Sequence, residues 1–337
     1  MNRDDLIAVF LARNGFDPGA AEPLAQDASF RRYLRIRGDR PAILMDAPPP
    51  EDVRPFLRIA AHLHGVGVPV PAVLAADEAS GLVLEEDLGD DLLSLLLDRG
   101  DAPDPLLDAA VDALIVMQRA APPAGLPAWD APTMATTALG TLFDWWWPAR
   151  FGTPAAQAAR DDVAAALAAM LEPVATGPCG FVHRDYFAGN LLRLPNHRIG
   201  IIDFQGAALG HPAYDLVSLL QDARRDIAPA SRDRGLARYL AARPELEPEK
   251  FRAAFTACAA QRHLRVACQW VRLALRDGRP QDLAHGPRTW RLLEDALSQP
   301  AAAPLALALD RWIPPAERGN PPALQQTPHV EKPGPEP

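Results

Sequence analysis

The order of segments predicts an α+β chain of two lobes, a small β-rich N-terminal lobe and a larger, mainly helical one. Three observations carry this. Short alternating segments fill the first part of the chain, and long apolar-periodic segments follow from Leu92 onward. The length of 337 residues suits one large domain or two lobes, and 48% hydrophobic residues supply a sizeable core. Lobes are expected over residues 1–88 and 89–313, with a disordered tail over 314–337.

Residues 3–14 read as an amphipathic helix, with Leu6, Ile7, Phe10 and Leu11 on one side. Residues 29–37 alternate as a strand, with Phe30, Tyr33, Leu34 and Ile36 among arginines. Ala42–Met45 has the length of a strand. Residues 51–65 look helical, and Val70–Ala75 and Gly81–Leu84 look like two further strands. Helices are then predicted over Leu92–Leu97, Leu106–Gln118, Thr136–Trp147, Ala156–Leu171, Tyr214–Arg224, Arg234–Ala242, Phe251–Leu275 and Arg288–Leu297. A short β-containing island lies between Phe181 and Phe204. From Pro314 the chain has eight prolines and no periodicity, hence the expected tail.

Composition excludes several classes. The chain carries 43 acidic against 34 basic side chains, a net charge of -9. A nucleic-acid binder would show a basic surplus. No apolar run reaches the ~18–20 residues of a membrane span, and the acidic start lacks the apolar stretch of a signal peptide. Cys179, Cys258 and Cys268 have no metal or disulfide spacing, so a reducing cytoplasm is expected. No nucleic-acid, membrane or obligate protein partner is expected.

The sharpest motif is His183-Arg184-Asp185-Tyr186-Phe187-Ala188-Gly189-Asn190, with Asp203 thirteen residues beyond Asn190. Each part is weak alone. The joint spacing across a short apolar hairpin fits phosphoryl transfer from ATP. Mg2+ prefers hard oxygen ligands, which the Asn190 amide and the Asp203 carboxylate offer. Asp185, on the same loop, can orient an acceptor hydroxyl and take its proton. Only ten residues separate Asp203 from Tyr214, and no Ala-Pro-Glu follows. That leaves no room for a peptide platform and favours a small acceptor.

With these residues the chain resembles the aminoglycoside phosphotransferase and choline kinase group, the small-molecule branch of the protein-kinase-like fold. The resemblance covers roughly residues 20–300. It implies Asp185 as the catalytic residue and Asn190 and Asp203 as metal ligands. His183 and Arg184 support the loop, and Asp215 of Tyr214-Asp215-Leu216 braces it. Glu85–Gly89 matches the segment whose backbone binds adenine, which implies Glu86 and Leu88 as nucleotide contacts. Longer stretches resemble one bacterial subfamily: Ala28–Tyr33, Leu44–Pro49, Tyr214–Leu220 and Gln261–Val266. These are the anomeric N-acetylmuramate/N-acetylglucosamine kinases of peptidoglycan recycling. That likeness implies an amino-sugar acceptor phosphorylated at its C1 hydroxyl. Another acceptor (an aminoglycoside, choline or homoserine) and a non-catalytic ATP-binding module stay open as alternatives.

The chain departs from the kinase pattern in two places. No G-x-G-x-x-G precedes Arg31, and small residues including Ser29 stand there. The apolar pattern puts Met45 where the strand lysine belongs. Arg31 or Arg32 is the candidate to meet phosphate charge, since guanidinium pairs bidentately with phosphate. For the acceptor, Trp146 and Arg150 of the run Phe143–Arg150 are candidates. Helix packing is the simpler reading of that run, because three consecutive tryptophans cannot share one face. Arg262, Arg265, Gln269, Arg272 and Arg276 fall within a helical sector of about 80°. That face would draw an anionic acceptor, or be salt-bridged to its surroundings.

Overall fold

The structure, a computed structural model, describes residues 2–24 and 31–325. The chain divides into two compact units. The first comprises Met1–Ala128, Cys179–Leu220 and Ile227–Leu246; the second comprises Trp129–Pro178, Gln221–Asp226 and Glu247–Pro337.

The first unit opens with helix α1 (Arg3–Arg13). Asn2 caps it by accepting from the Asp5 amide at 2.8 Å, while the Asp5 carboxylate accepts from the Asn2 amide at 3.2 Å. An antiparallel sheet follows, built of β1 (Ala21–Pro23), β2 (Arg32–Ile36), β3 (Ala42–Asp46), β4 (Val73–Asp77) and β5 (Leu82–Glu86) in the order β1-β2-β3-β5-β4. Helix α2 (Arg54–Gly65) lies between β3 and β4 in sequence. Alternation along the strands sorts the side chains. Leu34, Ile36, Ala42, Leu44, Leu82 and Leu84 pack with Ile7, Phe10 and Leu11 of α1. The pleat therefore assigns Tyr33, Ile43, Met45, Val83 and Glu85 to the opposite face. The register agrees, pairing Tyr33 with Met45, Met45 with Val83 and Ile43 with Glu85.

Asp46 ends β3 with no exposure, held by Arg3 of α1 at 2.8 Å and by Arg32 of β2 at 2.8 Å. Two cations offset the burial of that carboxylate and tie α1 to the sheet. Beyond the sheet come the helix Pro103–Arg119, the hairpin Leu191–Arg193/Ile199–Ile201 and the buried helix Ala213–Leu220. That last helix stops short of the expected Arg224. The Asp222 carboxylate accepts from the Arg224 amide at 2.9 Å, a turn that competes with further helix.

The second unit is helical. Its longest helix, Pro248–Arg276, packs against Ala131–Thr141 and Gly286–Leu297. Glu247 caps it, accepting from the amides of Glu249 and Lys250. The expected helix over Thr136–Trp147 is interrupted: Leu142–Trp146 forms a π-helical turn. A helix over Ala303–Trp312 was not anticipated from the sequence. Part of the expected tail is ordered. Residues 314–325 hold a short turn and a terminal helical turn, and Arg318 is buried there, paired with Glu294 at 2.9 Å and Asp310 at 2.6 Å. The rest of the expected tail lies outside the described residues.

Candidate active site

The candidate site lies within the first unit and starts from a buried carboxyl. Asp215 is inaccessible, and its two oxygens accept from consecutive amides, His183 at 2.7 Å and Arg184 at 2.9 Å. Burial pushes its carboxyl up to about 6, held back by His183 and the two amide bonds. Gln118 adds a bond at 3.3 Å and in turn receives one from the Tyr239 hydroxyl at 2.6 Å. These bonds fix the turn that carries Asp185. Arg184 adopts φ 75, a left-handed conformation that a side chain tolerates only under such restraint.

His183 is fully buried, and burial holds its imidazole neutral against the pull of Asp215 and Asp185. Its Nδ1 accepts from the Asp185 amide at 3.3 Å, which leaves Nε2 to donate to the Ile202 carbonyl at 3.0 Å. One ring thus links the loop before Asn190 to the strand end before Asp203. The hairpin closes the link from the other side: Leu191 pairs with Ile201, and the Ile202 amide donates to the Asn190 carbonyl at 3.1 Å.

The Asn190 amide nitrogen donates to the Asp185 carbonyl at 2.9 Å and to Asp203 at 3.4 Å. Its nitrogen is thereby committed and its oxygen is left to act as a ligand. Asp203, at φ 62, is exposed and accepts from Gln205 at 2.6 Å. Phe204 turns away and stacks on Phe56 of α2, with ring centroids 4.8 Å apart. Asp185 is exposed. The Asp185 and Asp203 carboxylates and the Asn190 amide oxygen are hard oxygen donors of the kind that would suit Mg2+. Among the described residues no group of three or more His, Cys, Asp or Glu side chains converges for a metal.

The segment Glu86–Leu88 is anchored by Arg35. Its guanidinium donates one hydrogen bond to Asp87 at 3.0 Å, lies 2.8 Å from that carboxylate as an ion pair, and also binds Asp90. Leu88 lies over Gly200, where a Cβ would meet it at 2.9 Å, so the strand beneath must be bare at that point. The Glu86 amide donates to the Ala72 carbonyl at 2.9 Å.

Two candidates for phosphate separate. Arg32 is spent on Asp46, on the face packed by α1, and so does not face the catalytic loop. Arg31 lies in register with the other face, bonded to Glu51 at 2.9 Å and close to the Tyr33 hydroxyl. Ser29 lies outside the described residues. Met45 is fully buried and lies in register with Tyr33 and Val83.

The acceptor candidates belong to the second unit. Trp146 has no exposure, donates to the Gly319 carbonyl at 2.8 Å and packs against Phe151 and Trp290. It is a core residue, as the packing reading held, and not a platform for a sugar. Arg150 pairs with Glu317 at 2.6 Å. The arginine stripe is not a uniform basic face: Arg262 is buried, Arg265 donates to Gln269 at 2.7 Å, and Arg276 pairs with Asp277 at 2.7 Å.

Sequence reasoning missed Arg35, Gln118, Tyr239 and Glu85. Strand alternation was the available signal for Glu85 and Arg35. Nothing local marks Gln118 or Tyr239.

A protein-family model described as the phosphotransferase enzyme family matches residues 20–253. The chain belongs to that family. It is 38% identical to an N-acetylmuramate/N-acetylglucosamine kinase of Caulobacter vibrioides, over 93% of this chain and 97% of the relative. A kinase of the same name from Pseudomonas aeruginosa is 36% identical, over 84% and 85%. Among solved structures, a choline/ethanolamine kinase family protein from Mesorhizobium loti matches with TM-score 0.60 at 17% identity, covering 91% of this chain and 98% of that one. The fold is therefore the protein-kinase-like α+β fold, with an antiparallel sheet first and a helical part after it. No helix among the described residues is long and apolar enough to cross a membrane.

Proposed function

We propose that this protein transfers the γ-phosphoryl group of ATP to the C1 hydroxyl of N-acetylmuramate, N-acetylglucosamine or both. The observation that carries the reading is the convergence of Asp185, Asn190 and Asp203 in a chain similar over most of its length to kinases bearing that name.

Asp185 orients the acceptor hydroxyl and accepts its proton as the new oxygen–phosphorus bond forms and the bond to the ADP oxygen breaks. Asn190 and Asp203 would hold Mg2+, which when bound would supply positive charge against the phosphates. Arg31 is the side chain proposed to meet the phosphates. Glu86 and Leu88 offer backbone groups to the base.

The test is ADP release with N-acetylmuramate, N-acetylglucosamine and kanamycin, with phosphorus NMR of the product. A C1-linked sugar phosphate supports the reading; turnover with kanamycin alone moves the acceptor elsewhere. Asp185→Asn should lower kcat by roughly 10²–10⁴-fold while ADP affinity stays within about threefold. A mutant of near wild-type turnover removes Asp185 from the role.

A further inference from the structure

Glu85 is a charged-type residue in an apolar place. It shares the pleat face of Tyr33, Ile43, Met45 and Val83, opposite the face that α1 covers. It is 6% exposed, and among the described residues its Oε2 has no hydrogen-bond partner. A buried polar atom left unpaired is destabilising, so native chains rarely keep one without a use. The next residue begins the Glu86–Leu88 segment anchored by Arg35. The Tyr33 hydroxyl feels the charge of both Glu85 and Asp203.

We propose that Glu85 is the base-reading residue of the nucleotide site, selecting a 6-aminopurine over a 6-oxopurine. The proposal rests on the reading of Glu86–Leu88 as the base-binding segment. A neutral carboxyl group offers one donor and one acceptor. Adenine presents a matching pair on its outer edge, the N6 amino donor beside the N7 acceptor. Guanine presents O6 and N7, two acceptors, and one of them must then face the carbonyl oxygen of Glu85. In a buried site that mismatch is poorly tolerated.

The chemistry of the site keeps the acid in the needed form. Burial pushes the Glu85 carboxyl up to about 8, and among the described residues no cation pairs with it. The titratable neighbour on the same face is Tyr33, itself pushed up to about 12 by burial and by Glu85, so it stays uncharged. The other charges acting on that phenol are Arg31, which hydrogen-bonds it, and Asp203. Once ionised, Glu85 only accepts, and N7 then meets a carboxylate. Base affinity should fall as pH rises through about 8.

The test measures ADP and GDP binding to the full chain by calorimetry, with Mg2+ and no acceptor, from pH 6.5 to 9.5. Wild type should prefer ADP and lose affinity above about pH 8. Glu85→Gln keeps one donor and one acceptor. It should hold ADP affinity within about threefold and lose the pH dependence. Glu85→Leu removes both, and at about 0.5–1.5 kcal/mol per bond should weaken ADP by about tenfold and bring the ADP/GDP ratio toward unity. Circular dichroism checks that each variant is folded; should the Leu variant not fold, the Gln variant's pH profile decides. ADP binding unchanged in Glu85→Leu, or a pH profile unchanged in Glu85→Gln, overturns the role of Glu85 alone. Wild type that binds neither nucleotide overturns the nucleotide reading, and this proposal with it.

Discussion

At the residue scale, burial decides which titratable groups are neutral. His183 and His211 are both pushed down by burial, His211 to about 4. His211 Nδ1 accepts from the Ala213 amide at 3.1 Å, a bond that protonation removes. A folded value below the unfolded ~6.5 means the unfolded chain takes the proton first as pH falls. The stabilisation is therefore present above about pH 6.5 and is lost as pH drops toward 4. Asp215 and Glu85 act in the opposite sense, since burial raises both. The His211 contribution is isolated by His211→Asn, which keeps an acceptor and cannot charge. The Tm advantage of wild type over this variant should shrink steadily from pH 7 to pH 4. A constant difference would show that His211 does not titrate in that range.

At the element scale, the strand β2 sends its side chains to two tasks. Arg32 goes to Asp46 and α1, while Arg35 goes to Asp87 and Asp90 beyond β5. The second contact orients the segment that would carry the base. Arg35→Ala should raise KM for ATP by about three- to tenfold, leave kcat within about twofold, and change Tm by only a few degrees. An unchanged KM would mean that the segment holds its shape without the guanidinium. The catalytic hairpin is the converse case. Its register and the His183 ring tie Asn190 to Asp203 through backbone, so the ligand pair does not depend on a single side-chain contact.

At the scale of the whole molecule, the segment past Pro314 belongs to the second unit's core. Arg318 is nearly inaccessible, donating to the Ile313 carbonyl at 2.8 Å and to Glu294 and Asp310. Trp146 reaches the same stretch through Gly319. Arg318→Ala should lower Tm by about 3–8 °C, because it empties a buried site and removes the bond to the Ile313 carbonyl, whereas Arg37 is itself 64% exposed. Arg37→Ala serves as the control. Its partner Glu22 is 59% exposed, and the loss should stay within about a degree. Equal shifts for the two variants would contradict the packing of that segment.

What the sequence determined by itself is the order of strands and helices and the catalytic loop. Alternation and apolar periodicity are local properties, and the spacing of Asp185, Asn190 and Asp203 is a property of one short stretch of chain. The class of phosphotransfer chemistry was legible for the same reason. Only the tertiary structure decided the rest. It spent Arg32 on a buried aspartate, put Trp146 into a core, ordered residues 314–325, and brought Gln118 and Tyr239 behind Asp215. It also buried Glu85 with its Oε2 unpartnered among the described residues. Each of these depends on what lies across the fold from a residue, and one-dimensional spacing does not encode burial or the partner a charge will find.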